Sequence, residues 1–410
     1  MRNANRSCVA ALVFGALFGA PVQGNAQEFN FGKVGDPINL VVAHPCCYTE
    51  VWSAFALAGN ELWKKYLPAG STVEYQIGLQ GAVVVNQMLA GKGHIGYLGD
   101  LPALTAVSKT ETADVRVVGV TGMAYDQCYI FLVRKDAPEF KTTDEALKWV
   151  NGKTVSTPKG SCTDDFVQKL FQRTDTKPAS YLNQNIEIIS SGFKAGRLDA
   201  AAVWEPNASH LVQEGLARRI ASGTTINEQG GGFIIMQAEL IKQRPDVAKG
   251  WMMAELDAQL WMADPKNADA LVGIVRSRIT GFSDKALWRA LYGNYADAEG
   301  GHKVRLYQPY TFTKNVTDLM DRGIKFLKAN KVLNIDKLRP DAVMPQITEE
   351  ILKERGLKAK RIKLIGPQVW ATRPGRARSG RTGSRTRASH SRTRRSVLTR
   401  TGLTMRAPSH

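Results

Sequence analysis

Four cysteines follow the first apolar stretch of the chain: Cys46, Cys47, Cys128 and Cys162. Two of them stand beside a histidine in the run HPCCYTE. A thiol with an imidazole next to it can act as nucleophile and base. The same His44, Cys46 and Cys47 could ligate a soft metal. Neither CxxC nor His-x3-His spacing accompanies them, so a zinc site has no support. In an oxidising compartment the four cysteines instead permit three disulfide pairings, and two disulfides leave no nucleophile.

A second set of polar residues stands where strands end and helices begin. Ser161, Cys162 and Thr163 follow Gly160 and precede the helical run DDFVQKLF. Free N–H groups and the helix dipole at such a start favour an anion, so these three residues are candidate ligand contacts. Gln80 and Gly81, ahead of AVVVNQMLAG, occupy the equivalent place earlier. Asp100 and Glu205 are acids at matching strand ends. They would repel a plain anion and accept a ligand with an amine as well as an acid group. Trp204 and Tyr125 are candidate aromatic walls. His44 is a candidate donor to an anion, with Cys46 in the same loop.

Asp100, Trp204 and Glu205 belong to a unit that occurs twice, roughly a hundred residues apart. The copies are QMLAGKGHIGYLGDLPAL and GFKAGRLDAAAVWEPNASHL. Each reads as helix, Ala-Gly, buried strand, polar tip, helix. Gly91 and Gly196 close the first helix, because glycine tolerates the left-handed conformation used there. Ile95 to Leu98 and Leu198 to Val203 are apolar enough for buried strands. Pro206 stops the second strand, and Asn207 is placed to cap the helix beyond it. Two such copies predict an α/β protein of two lobes with a cleft between polar strand ends.

The remaining pattern predicts a largely parallel sheet, with strands at PINLVVA, Thr72 to Leu79 and Asp114 to Val120. QCYIFLVR reads as a strand crossing to the second lobe, whose own strands include GKTVS and Ile186 to Ile189. The triple glycine at 230–232 reads as a hinge returning to lobe one. The C-terminal third carries helical apolar spacing, as at Val316, Leu319, Met320, Ile324 and Leu327.

The chain has 410 residues, ample for two domains, and a formal net charge of +18. Eleven arginines lie in residues 366–410, with no Lys, Asp or Glu. The first 365 residues therefore hold 44 basic and 37 acidic groups, a net +7. The tail has too little apolar content to build a core and is expected to be disordered. Arginine without lysine is unlike a basic arm, so no nucleic-acid partner is expected. At the other end, Arg2 and Arg6 precede an apolar run from Val9 to Val22 and a small residue, Ala26. That pattern predicts a signal peptide over 1–26, too short to span a bilayer.

In their order and spacing, LAGKGHIGYLGDLPAL, GKTVSTPKGS, AGRLDAAAVWEP and TDLMDRGIKFLKANKV resemble the substrate-binding proteins of ABC importers, in the taurine, sulfonate and nitrate branch. The likeness covers roughly residues 37–350. It implies a type II periplasmic binding protein fold with the ligand in the interlobe cleft. Lobe one is then 37–126 with 231–350, lobe two is 127–230, and two strands cross between them. It implies a monomer in the periplasm that captures a small organic anion or zwitterion, taurine- or alkanesulfonate-like, by lobe closure. The partner is an ABC permease in the inner membrane, and no catalytic residue, cofactor or metal is implied. His94 departs from the Asp common in the family, and HPCCYTE is unusual for it. An exported enzyme or a metal carrier using His44, Cys46 and Cys47 is the alternative.

Overall fold

The computed structural model describes residues 29–358 and 362–364. The expected signal peptide at 1–26 and tail at 366–410 lie outside the described residues. Two sheets organise the rest. The larger holds β1 Asn39–Pro45, β2 Thr72–Gly78, β3 Ile95–Gly99, β4 Val115–Ala124, β10 Gly230–Gln237, β11 Leu306–Gln308 and β12 Ile362–Leu364. Their spatial order is β12-β11-β4-β10-β3-β1-β2. The smaller holds β5 Ile130–Arg134, β6 Thr154–Thr157, β7 Ser180–Asn183, β8 Ala200–Val203 and β9 Ala217–Ser222, in the order β7-β6-β8-β5-β9.

Helices α1 Ser53–Gly59, α2 Gly81–Leu89 and α3 Asp100–Ser108 join the first strands. α4 Thr143–Trp149, α5 Cys162–Thr174, α6 Ile186–Lys194 and α7 Asn207–Gln213 belong to the stretch that forms the smaller sheet. α8 Ala238–Gln243, α9 Pro245–Ala263, α10 Ala268–Arg276, α11 Asp284–Tyr292, α12 Lys314–Ala329 and α13 Pro345–Glu354 follow β10. No described helix is long and apolar enough to cross a membrane.

The repeated unit is α2-β3-α3 in one copy and α6-β8-α7 in the other. Ala90 and Ala195 end the first helix of each, and Gly91 (φ +67°) and Gly196 (φ +64°) take the left-handed turn that follows. On one face of the larger sheet, α2, α3 and α12 bury a shared core that includes Val84, Met88, Leu104, Phe233, Leu319 and Ile324. The expected stripe of α12 is buried in full.

Four expectations are corrected. The sheets are mixed, not largely parallel. β2, β1 and β3 run parallel, as do β7, β6 and β8, but β10 is antiparallel to both β3 and β4. The cause is the double crossing: β4 leaves the larger sheet, β10 returns beside it, and a returning strand runs the opposite way. The strand expected at Ile186 to Ile189 is the first turn of α6. Asn185 caps that helix by accepting the Ile188 N–H at 2.9 Å, and Ile186, Ile189 and Phe193 face the interior at helical spacing.

The crossing itself is made by short connections, residues 125–129 and 223–229, and not by the strand, which starts at Ile130. They hold one another: Gly223 N–H donates to the Tyr125 carbonyl at 2.8 Å. A Cβ on Gly223 would sit 2.5 Å from that oxygen, so only glycine fits. Gly230, Gly231 and Gly232 are no hinge either. They lie inside β10, opposite Ala124, Met123 and Gly122. A Cβ on Gly232 would lie 2.9 Å from Val51 and 3.1 Å from the Glu50 carbonyl, so close approach explains the glycine.

Candidate functional site

The parallel strands of both sheets end towards one cavity of about 450 Å³. Pro45 at the end of β1, Leu79 and Gln80 after β2, and Gly99 at the end of β3 line it from the larger sheet. Residues 158–162 after β6 and Trp204 after β8 line it from the smaller one. This is where open α/β sheets bind ligands. The volume falls within the usual range for small-molecule sites.

Three helices begin at its wall. The N-cap positions are Gln80 for α2, Gly99 for α3 and Ser161 for α5, and none of them makes a side-chain cap hydrogen bond. The backbone ends of α2 and α5 face the cavity from opposite sheets, which gives it a positive potential without a cationic side chain at its centre. Lys109 and Lys159 add positive charge on the wall, and among the described residues no Asp or Glu lines it. Ser161 offers backbone more than hydroxyl. Its Oγ donates to the Pro158 carbonyl at 2.5 Å and lies 2.7 Å from Thr163 Oγ1.

Of the residues singled out in the sequence, Gln80, Gly81, Ser161, Cys162 and Trp204 come together on this wall. The other six lie off it, each for a visible reason. Thr163 is buried behind Ser161, 2.7 Å from Thr157 Oγ1. Tyr125 sits in the crossing connection with its ring 4.7 Å from that of His302. His44 is buried edge-on to Phe55, and burial lowers its pKa to about 4, so it is neutral. Cys46 is bonded to Cys47, and Cys128 to Cys162, so none of the four is a free thiol. The second disulfide ties a crossing connection to the start of α5.

The two acids are turned inward. The Asp100 carboxylate accepts the Leu101 N–H at 2.8 Å, and burial raises its pKa to about 7. Glu205 is fully buried and accepts the Ser209 N–H at 2.8 Å and the Tyr295 hydroxyl at 3.1 Å, with Arg219 Nη1 at 3.6 Å. It therefore serves the start of α7, the task expected of Asn207, which is instead the first residue of the helix, with Pro206 at the N-cap. Behind the wall, Tyr48 Oη contacts the Glu50 carboxyl and the Gly231 carbonyl. Burial, with Asp100 nearby, pushes the Glu50 carboxyl well above the usual carboxylate range.

Sequence reasoning missed Tyr48, Leu79, Pro102, Lys109, Lys159 and Val332 on the wall. Tyr48 and Lys159 adjoin motifs that had been noticed, and Pro102 is the repeated tip proline. Lys109 and Val332 carry no local signal, because only tertiary folding brings them there. Among the described residues no cluster of three His, Cys, Asp or Glu side chains could hold a metal.

Residues 46–276, more than half of the chain, match the NMT1-like family. The chain belongs to that family. Two relatives of this NMT1-like chain come from Escherichia coli. A protein named for binding aliphatic sulfonates is 24% identical over 241 residues, covering 57% of this chain and 67% of the relative. A taurine-binding periplasmic protein is 22% identical over 247 residues, covering 57% and 72%. Among solved structures, the alkanesulfonate-binding protein SsuA of Xanthomonas axonopodis bound to MOPS superposes with a TM-score of 0.60 at 18% identity, covering 75% of this chain and 99% of that one. The desulfurization enzyme DszB, as a mutant with biphenyl-2-sulfinic acid, gives 0.58 at 15% identity, covering 77% and 99%. The fold is therefore the two-lobed one of periplasmic binding proteins, and an enzyme also uses it.

Proposed function

We propose that this protein is the solute-binding component of an ABC importer. It acts in the periplasm, captures a small organic anion and delivers it to a membrane permease without chemical change. The observation that carries the reading is the pair of helix starts, α2 and α5, facing one cavity from opposite sheets, with no acidic side chain on its wall among the described residues. The names of the relatives agree with it. In this reading residues 37–126 and 231–350 form lobe one, 127–230 form lobe two, and the two crossing connections flex as the lobes close. A monomer suffices, because one chain supplies both walls.

Catalysis at His44 and the cysteines has no geometric support. The sulfurs are paired, and the imidazole is sealed beneath Phe55. Solution X-ray scattering tests the reading. Saturation with a sulfonate that raises the melting temperature should reduce the radius of gyration. An unchanged radius at saturation argues against closure.

A further inference from the structure

Between α10 and β11 the chain leaves the larger-sheet half of the molecule and returns to it. α10 packs against α1, and β11 pairs with β4. The segment joining them leans on the smaller-sheet half instead. α11 packs along α7. The Phe282 ring lies 5.4 Å from that of His210, and Ser283 Oγ donates to Gln213 Oε1 at 3.1 Å, both on α7. The Tyr295 hydroxyl donates to Glu205 at 3.1 Å and contacts Ser209 Oγ. On β9, an edge strand of the smaller sheet, Arg219 Nε donates to the Glu299 carbonyl at 2.8 Å and the Ser222 hydroxyl to the Gly300 carbonyl at 2.6 Å.

The Arg219 and Glu205 side chains that receive this segment are buried. The Arg219 guanidinium lies 4.2 Å from the centroid of the Tyr295 ring, with those of Arg289 and Arg305 at 4.8 Å and 5.0 Å. Lifting the segment away would strip partners from a buried arginine and a buried glutamate, which costs far more than losing a surface contact. Gly300 has φ +71°, and a Cβ there would lie 2.6 Å from the Ser222 nitrogen, so glycine lets the backbone seat itself. At the near end, Gly281 turns with φ +87° in open space. At the far end, Arg305 pairs with Asp126 of the crossing connection and donates to the Ala290 carbonyl at 2.8 Å.

We propose that residues 282–300 are a strap that travels with the smaller-sheet lobe, although the chain on either side belongs to the larger-sheet lobe, and that the strap limits how far the two open. It is a third link between the lobes, beside the connections 125–129 and 223–229. The proposal rests on the lobe-closure reading. Residues that absorb a domain motion lie at the ends of the moving element, here around Gly281 and at 301–304. Glu205 follows Trp204 of the cavity wall, so the strap also steadies that wall.

The test is pulsed electron resonance between spin labels on Lys194→Cys in α6, Ala298→Cys in the strap and Lys325→Cys in α12, taken in pairs. All three positions are exposed. Saturating octanesulfonate should change the 194–325 and 298–325 distances and leave 298–194 as it was. A 194–325 distance that stays constant at saturation overturns lobe closure, and the proposal with it. A 298–194 distance that changes while 298–325 holds overturns the proposal alone. A second arm needs no ligand. Gly300→Val drives a side chain into Ser222 and should unseat the strap, broadening both the 298–194 and the 194–325 distributions in the free protein. A 194–325 distribution as narrow as the parent's would show that the strap does not limit opening.

Discussion

Asp100 and Glu255 are buried carboxyls whose pKa values burial raises to about 7, and burial, with Asp100 nearby, pushes Glu50 well above its ordinary value too. Such a group binds more protons folded than unfolded, so it stabilises the fold at low pH. That contribution is lost as pH rises from the unfolded value, about 4, through the folded one. His44 works the other way. Its folded pKa is depressed to about 4, so its contribution is complete above the unfolded value of 6.5 and is lost as pH falls towards 4. The acids outnumber it, so the protein should be less stable at pH 8 than at pH 5, by about 1–3 kcal/mol. Asp100→Asn keeps an oxygen for the Leu101 N–H and removes the titration. Denaturant midpoints across that range should show a shallower slope in the variant, and an unchanged slope would show that Asp100 is not the proton holder. The same residues mark what a sequence leaves open at this scale. Asp100 and Glu205 could be placed at strand ends, but their aim depends on which backbone N–H groups the next helix turns towards them.

At the scale of elements, legibility followed local chemistry. Ala90-Gly91 and Ala195-Gly196 announced their helix ends because a left-handed residue is a local requirement. The α12 stripe was readable because one helix face carries it. The direction of β10 was not readable, since it depends on a connection made through the other sheet. β11 and β12 are three residues each and too short to show a period. The triple glycine looked flexible because glycine usually is, yet it answers to close packing in the middle of a sheet. Gly232→Ala should therefore cost about 1–3 kcal/mol, because the added methyl meets Val51 and the Glu50 carbonyl. Urea unfolding measures it. A variant as stable as the parent would return these glycines to the role of a hinge.

For the whole molecule, the two-copy unit already foretold two α/β halves with strand ends facing a cleft, and both sheets are present. The cavity's chemistry was only half legible. Its helix starts have sequence signatures, whereas its apolar wall is assembled from Pro45, Leu79, Pro102 and Val332, which share no motif. The carboxylates that suggested a zwitterion are turned to backbone N–H groups of their own helices, Asp100 to Leu101 and Glu205 to Ser209. The central claim is capture without chemistry, and native mass spectrometry of the protein mixed with octanesulfonate tests it most directly. The account predicts one intact octanesulfonate per chain, saturating with concentration and released unchanged. A protein with no adduct, or one accompanied by a desulfonated product, would contradict it.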